Sequence, residues 1–119
     1  MESEFKVSMF KILKTSTPHG RSTEEGELGG DTIRNLILDN WDQYEKINVY
    51  FDGIVKMTRP FVDEAFAKVL ESKNLDEFNE KLYFPDASDD IVRALTEAIK
   101  LRMKILRSKR DRDNDAASD

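Results

Sequence analysis

Hydrophobic and polar positions alternate most clearly in the middle of the chain, where Ile47, Val49 and Phe51 are separated by Asn48 and Tyr50. A period of two is typical of a β-strand with one buried face. The Asp-Gly pair that follows interrupts the pattern and predicts a turn. This segment is therefore predicted to be the central strand of the fold.

A strongly apolar helix is predicted directly after this strand. Pro60 has a fixed φ that suits a first helical turn, and Phe61, Ala65 and Val69 then form one row at helical spacing. A second row of Val62, Phe66 and Leu70 lies beside it. Strand and helix together predict the hub of a small α/β domain, with four of these side chains in its core: Phe51, Phe61, Phe66 and Val69.

The segments before the central strand predict three further elements. Residues 5–12 read as one long strand with a bulge near Met9-Phe10, or as two short strands, because the spacing for an amphipathic helix is poorer. Residues 15–30 hold four of the five glycines and predict a long loop. Asp31 is expected to cap a helix whose apolar face includes Ile33 and Ile37.

The C-terminal part of the chain predicts a short helix, a short strand and a last helix. Asn74 and Glu77 have the spacing of a capping box, residues 82–84 are brief and apolar, and Ser88 can cap the last helix. The cations near the end of that helix are favoured by its dipole, or they form a patch for a partner: Lys100, Arg102, Lys104 and Arg107.

The domain is predicted to end at residue 106. Residues 107–119 carry mixed charge and no apolar side chain larger than Ala, so they are predicted to form a disordered tail after the α/β domain of residues 1–106. A chain of 119 residues with 39% hydrophobic content and seven Phe is long enough to bury one core.

Charge and cysteine content exclude several classes of function. A net charge of −5 argues against a protein that binds a nucleic-acid backbone. The absence of Cys excludes disulfides, thiolate metal sites and cysteine nucleophiles. The N-terminus has acids where a signal peptide needs a basic region, and no apolar run is long enough to span a membrane. A cytoplasmic protein that binds neither nucleic acid nor membrane is expected.

The sequence offers little support for any catalytic residue. His19 is the only histidine and has no readable nucleophile beside it, and the glycines of the loop match neither nucleotide-binding motif. The neighbouring acids Asp63 and Glu64 diverge by about 100° on a helix, so they do not converge on a substrate. Arg21 either contacts a ligand or partner, or pairs with the acids of its own loop (Glu24, Glu25 and Glu27). We therefore expect no enzyme activity, no cofactor and no metal site.

The start of the predicted helix, Thr58-Arg59-Pro60, is the strongest candidate for a regulatory site. A phosphate at a helix N-terminus meets free N–H groups and the positive end of the dipole. Thr58 could receive such a phosphate and Arg59 could neutralise it. The plain alternative is that the three residues only begin a helix, with the Thr58 hydroxyl as its cap.

Three stretches of the sequence resemble the STAS-like domain family, a group of bacterial proteins related to anti-sigma-factor antagonists. INVYFDGI resembles the family's hydrophobic strand that ends in Asp-Gly, and FVDEAF (residues 61–66) resembles its helix start. The loop is similar to the family's glycine-arginine start, central glycine, and second glycine before a helix with a late arginine, here Gly20, Arg21, Gly26, Gly30 and Arg34. The likeness covers residues 5–106.

The resemblance implies a mixed sheet of four or five strands flanked by helices, and a role without catalysis. Related antagonists bind a kinase-like anti-sigma partner and are switched by phosphorylation of a serine that opens the helix after the central strand. Here Arg59 and Pro60 stand where the family commonly has small hydroxyl residues, so Thr58 is the nearby acceptor.

The leading hypothesis is a regulatory module that binds a protein partner, a kinase-like ATPase or an anti-sigma-type regulator, through Arg21, Thr58, Arg59 and Pro60. One alternative is a small-molecule or nucleotide sensor that uses the same glycine-rich loop and helix N-terminus. Another is a small acidic inhibitor protein from a mobile element. The sequence leaves the oligomeric state open.

Overall fold

The computed structural model describes residues 2–24 and 26–117. Within these residues the chain forms a small α/β domain. Its elements in chain order are β1 (Glu2–Ser8), α1 (Met9–Leu13), α2 (Gly30–Asp39), β2 (Tyr44–Tyr50), α3 (Arg59–Ala65), a 3-10 helix (Ala67–Glu71), α4 (Leu75–Lys81), β3 (Leu82–Tyr83) and α5 (Asp89–Ala117).

The described residues form one three-stranded sheet in the order β1-β2-β3. Both pairs are parallel: Phe5 pairs with Ile47, and Ile47 pairs with Leu82. The predicted four- or five-stranded mixed sheet is therefore wrong. Parallel neighbours need a long crossover, and here helices supply both crossovers.

The predicted second half of the first strand is also wrong, because residues 9–13 form α1. Met9 and Leu13 lie four positions apart and are both buried, so one helical face reaches the core. Lys14 then takes a left-handed conformation with φ of 57° and ends the helix. A five-residue segment with four apolar side chains does not distinguish a strand from a single buried helical turn.

Helices cover one face of the sheet, and the core lies between the two layers. Val7, Ile47 and Val49 point into this core and are fully buried. The prediction for the hub is confirmed, since all four expected core side chains are buried: Phe51, Phe61, Phe66 and Val69. On the opposite face, lysines lie over tyrosine rings, with Lys6 Nζ 4.8 Å from the centre of the Tyr50 ring.

Helix α2 begins one residue before its predicted cap. Gly29 is the N-cap and Gly30 the first helical residue, whereas Asp31 lies in the first turn. Gly30 packs so closely against α3 that an added Cβ would lie 2.8 Å from the carbonyl oxygen of Phe61. Asp31 instead accepts a hydrogen bond of 2.9 Å from the Thr23 hydroxyl and so anchors the loop.

The predicted helix after Pro60 is interrupted. Helix α3 ends at Ala65, and a 3-10 helix follows from Ala67. Phe66, between the two, is fully buried, and its φ of −123° departs from the helical value. The capping box before α4 and the Ser88 cap of α5 are confirmed, and the Ser88 hydroxyl accepts a hydrogen bond from the Ile91 N–H.

Helix α5 continues past the predicted domain boundary at residue 106. Residues 107–113 are helical, so the prediction of disorder is wrong for them, although their side chains are exposed as that reasoning required. Once packing has anchored a helix, each added residue gains one backbone hydrogen bond without the cost of nucleating a new helix. The last two residues of the predicted tail, 118–119, lie outside the described residues.

Candidate functional site

Thr58 joins the long loop to the start of α3. Its hydroxyl accepts a hydrogen bond from the Phe61 N–H at 3.4 Å and donates one to the His19 carbonyl oxygen at 2.7 Å. The Thr58 N–H also donates to the Pro18 carbonyl at 3.3 Å. The expected helix cap is thus present, and the same hydroxyl holds the loop in place.

Arg21 reaches across to α3 rather than to the acids of its own loop. Its guanidinium donates to the Asp63 carboxylate at 2.6 Å and lies 3.4 Å from Glu64. Glu24 and Glu27 instead pair with each other through their backbones. The two predicted partners that the structure describes are therefore wrong, while Glu25 lies outside the described residues.

Asp63 of α3 is bound by two arginines, one from the long loop and one from α5, and so connects three parts of the fold. Besides Arg21 from the loop, it accepts two hydrogen bonds from Arg102 on α5, one of them 3.0 Å long from Nε. The Asp63 side chain is 15% exposed. Burial alone would raise the pKa of this carboxyl, but the hydrogen bonds from Arg102 and Arg21 outweigh it and hold the pKa below its usual value.

Glu64, the next residue of α3, is the acid of a second set of ion pairs. It pairs with Arg34 of α2, and with Lys68 at 3.0 Å. Its side chain is 9% exposed. Burial would raise the pKa of Glu64, but Lys68 and Arg34 lower it further than burial raises it. Arg21 lies close to both acids, whereas Arg102 binds only Asp63, and Arg34 and Lys68 bind only Glu64.

Sequence reasoning missed this charge cluster. Asp63 and Glu64 are the fifth and sixth residues of α3, which begins at Arg59, so they lie beyond its first turn. One signal was readable: Glu64 and Lys68 have the i,i+4 spacing of a helical ion pair. The other pairs join residues roughly 30 to 43 positions apart and leave no local pattern.

A groove of about 640 Å³ lies between the start of α3 and the middle of α5. Three of the four candidate residues line this groove: Arg21, Arg59 and Pro60. The fourth, Thr58, immediately precedes Arg59 in the chain. The α5 wall includes Leu101 and Ile105 and also Ala94, Glu97 and Ala98. Leu101 and Ile105 are 60% and 41% exposed, so this wall presents apolar surface to solvent.

The titratable side chains at and around the site are either bound in ion pairs or exposed to solvent. Among the described residues, no three His, Asp or Glu side chains are grouped so that they could hold a metal ion. Asp63 and Glu64 are bound by cations, and His19 is largely exposed, 3.5 Å from Glu27. Of the cations at the basic end of α5, Arg102 is bound to Asp63, whereas Lys100, Lys104 and Arg107 are exposed.

Comparison with known proteins assigns the family. A family model described as a STAS-like domain of unknown function (DUF4325) matches residues 29–92, more than half of the chain. The chain belongs to this STAS-like family. No curated protein and no solved structure matches it.

The STAS-like match includes most of the site. It spans α2, β2, α3 and the beginning of α5, and thus contains the helix start and both acids of the charge cluster. Arg21 precedes the matched region and Arg102 follows it, so the two cations that bind Asp63 lie outside. Within the described part of the chain, no helix is both long enough and apolar enough to cross a membrane.

Proposed function

We propose that this STAS-like chain is a non-enzymatic regulatory module that acts in the cytoplasm by binding another protein. One observation carries the proposal: the groove combines exposed Arg59 and Pro60 on one wall with exposed Leu101 and Ile105 on the other. Arginine beside apolar surface is the composition typical of the residues that dominate binding energy at protein interfaces.

The charge cluster supports this proposal because it fixes the two walls relative to each other. Asp63 of α3 is held by Arg102 of α5, and both side chains are about 15% exposed. A partner would therefore meet a groove that is already formed, and little ordering entropy would be lost when it binds. Kinase-like ATPases and anti-sigma-type regulators are the proposed partners, on the basis of the family's relation to anti-sigma-factor antagonists.

A sensor of nucleotides or phosphates is less well supported, because the loop uses its own N–H groups. The Gly30 N–H donates to the Gly20 carbonyl at 2.8 Å, and the Asp31 N–H donates to the Arg21 carbonyl at 2.9 Å. At α3, Pro60 has no N–H, and the next N–H in the chain donates to the cap. An anion at either helix start would have to displace these contacts.

Phosphorylation of Thr58 would have a second consequence in this arrangement. The hydroxyl that would accept the phosphate donates to the His19 carbonyl, so modification breaks that bond and releases the loop. Glutamate at position 58 reproduces both the lost donor and part of the added charge. If Thr58 regulates binding, Thr58→Glu should change the affinity for the partner, whereas Thr58→Ser should not.

The test is capture from the native host with wild-type chain as bait, followed by calorimetric titration of the captured partner. Arg59→Glu reverses one exposed charge at a helix start, which tolerates acids. It should weaken binding roughly thirtyfold, the effect of an arginine lost from a desolvated contact. Arg93→Glu is the matched control, because Arg93 is also exposed and contacts Asp90 of its own helix. Equal affinities for the two variants would contradict the proposal.

A further inference from the structure

Helix α5 carries a second apolar row besides the one that packs on the core. Leu95 belongs to the inward row and is buried. The second row lines the groove and consists of Ala94, Ala98, Leu101 and Ile105. Ala94 and Ala98 are half-buried, and Ala98 also packs against the core, whereas Leu101 and Ile105 are exposed. The steps of four, three and four residues are the spacing of a coiled-coil seam. A helix with such a seam is suited to pair with another helix along its length.

The seam is complementary to itself when two copies run in opposite directions. Its small side chains come first and its large ones last. In an antiparallel pair centred between residues 99 and 100, Ala98 lies opposite Leu101 of the second copy, and Ala94 lies opposite Ile105 of the second copy. Each large side chain thus meets a small one, which is the arrangement that fills space at a helical interface.

Charges beside the seam favour the same arrangement. Glu97 and Lys104 lie seven positions apart and therefore on the same flank. Both side chains are exposed, and neither forms an ion pair with another described residue. In the antiparallel pair each Glu97 lies beside Lys104 of the second copy, so the contact occurs twice.

The whole helix has the polarity that an antiparallel pair requires. Residues 89–97 contain three acids and one arginine, whereas residues 100–113 contain seven basic residues and two acids. Two parallel copies would place like charges together, and antiparallel copies place the acidic half beside the basic half.

We propose that a second copy of this chain occupies the α5 wall of the groove, and that the two chains form an antiparallel dimer through α5. The inference does not rest on the proposed function, because self-association is measured on the purified chain alone. A partner protein that entered the groove would compete with the second copy for Leu101 and Ile105.

The first test is sedimentation velocity of the full chain at loading concentrations from about 10 µM to about 1 mM, a range suited to a small interface. The wild-type chain should change from monomer to dimer within this range. Leu101→Lys should raise the dissociation constant at least tenfold, and its melting temperature should remain close to that of the wild type because Leu101 is 60% exposed. A monomer at every concentration, or a dimer that Leu101→Lys leaves intact, would overturn the proposal.

The second test uses charge reversal to determine the orientation. Glu97→Lys and Lys104→Glu should each weaken the dimer several-fold, because each places like charges together twice. An equimolar mixture of the two variants should restore wild-type affinity, since both contacts become attractive again in the heterodimer. Lys100→Glu, the same change of charge away from the seam, is the control. A mixture that associates no better than its separate components would exclude the antiparallel pairing.

Discussion

The Asp63–Arg102 ion pair joins α3 to α5 and should stabilise the fold much more than the Asp90–Arg93 pair, which lies within α5. The two pairs differ chiefly in exposure: the side chains of Arg102 and Asp63 are 14% and 15% exposed, against 67% and 90% for Arg93 and Asp90. Alanine replacements at both members of each pair define two double-mutant cycles in one protein. Each cycle isolates the coupling within its pair, because packing lost by a single replacement cancels.

The structure sets the expected magnitudes. Arg102 makes two hydrogen bonds to Asp63, and a hydrogen bond to a charged group contributes about 1.5–3 kcal/mol. Desolvation of both charges offsets part of this, so we expect a coupling of about 1.5–3 kcal/mol for the buried pair. The exposed pair lies three positions apart on one helix and should contribute only about 0.2–0.5 kcal/mol.

Urea unfolding followed by circular dichroism measures all of these variants under one set of conditions. The comparison requires that the urea dependence of the free energy of unfolding stays constant among the variants. A repeat in about 1 M salt should reduce the exposed coupling more than the buried one. Couplings of equal size in the two cycles would refute the conclusion that the cluster holds α5 against α3.

Three further predictions concern the core, the acids and the cap. Phe66→Ala should lower the free energy of unfolding by about 3–5 kcal/mol, and a loss below about 1 kcal/mol in a urea melt would contradict its burial. Asp63 and Glu64 have folded-state pKa values below their unfolded values, so the stability they provide is complete above about pH 5 and is lost as the pH falls through the folded-state values. Asp63→Asn should therefore lose less stability between pH 6 and about pH 3 than the wild type, and equal losses would count against this assignment. Thr58→Val should cost about 1 kcal/mol and speed amide exchange in the loop, whereas Thr58→Ser should do neither.

Local features of this fold were readable from the sequence because they depend on neighbours within a few positions. The alternation up to Phe51 and the capping box at Asn74 and Glu77 are of this kind, and the structure contains both. The helix after Pro60 is also present, but it ends at Ala65. The resemblance also indicated the family correctly.

The features that sequence reasoning missed are set by contacts between distant segments. The helical turn of α1 and the order of the three parallel strands depend on the distant apolar residues against which these segments pack. The partners of Arg21 and Arg102 both lie on α3, roughly 40 positions away in each case. An arginine in a polar loop carries no sign of which distant carboxylate it will meet.

The all-parallel pairing of the sheet has a consequence for how the chain is made. Phe5 pairs with Ile47 and Ile47 with Leu82, so neighbouring strands are separated by roughly 42 and 35 residues. At about 5–20 residues per second, the ribosome completes β1 several seconds before β2 exists. During that interval β1 has no native strand to pair with, and the centre of the sheet assembles only when β2 has emerged. On the nascent chain, the backbone N–H and C=O groups of β1 therefore remain without their native partners for several seconds.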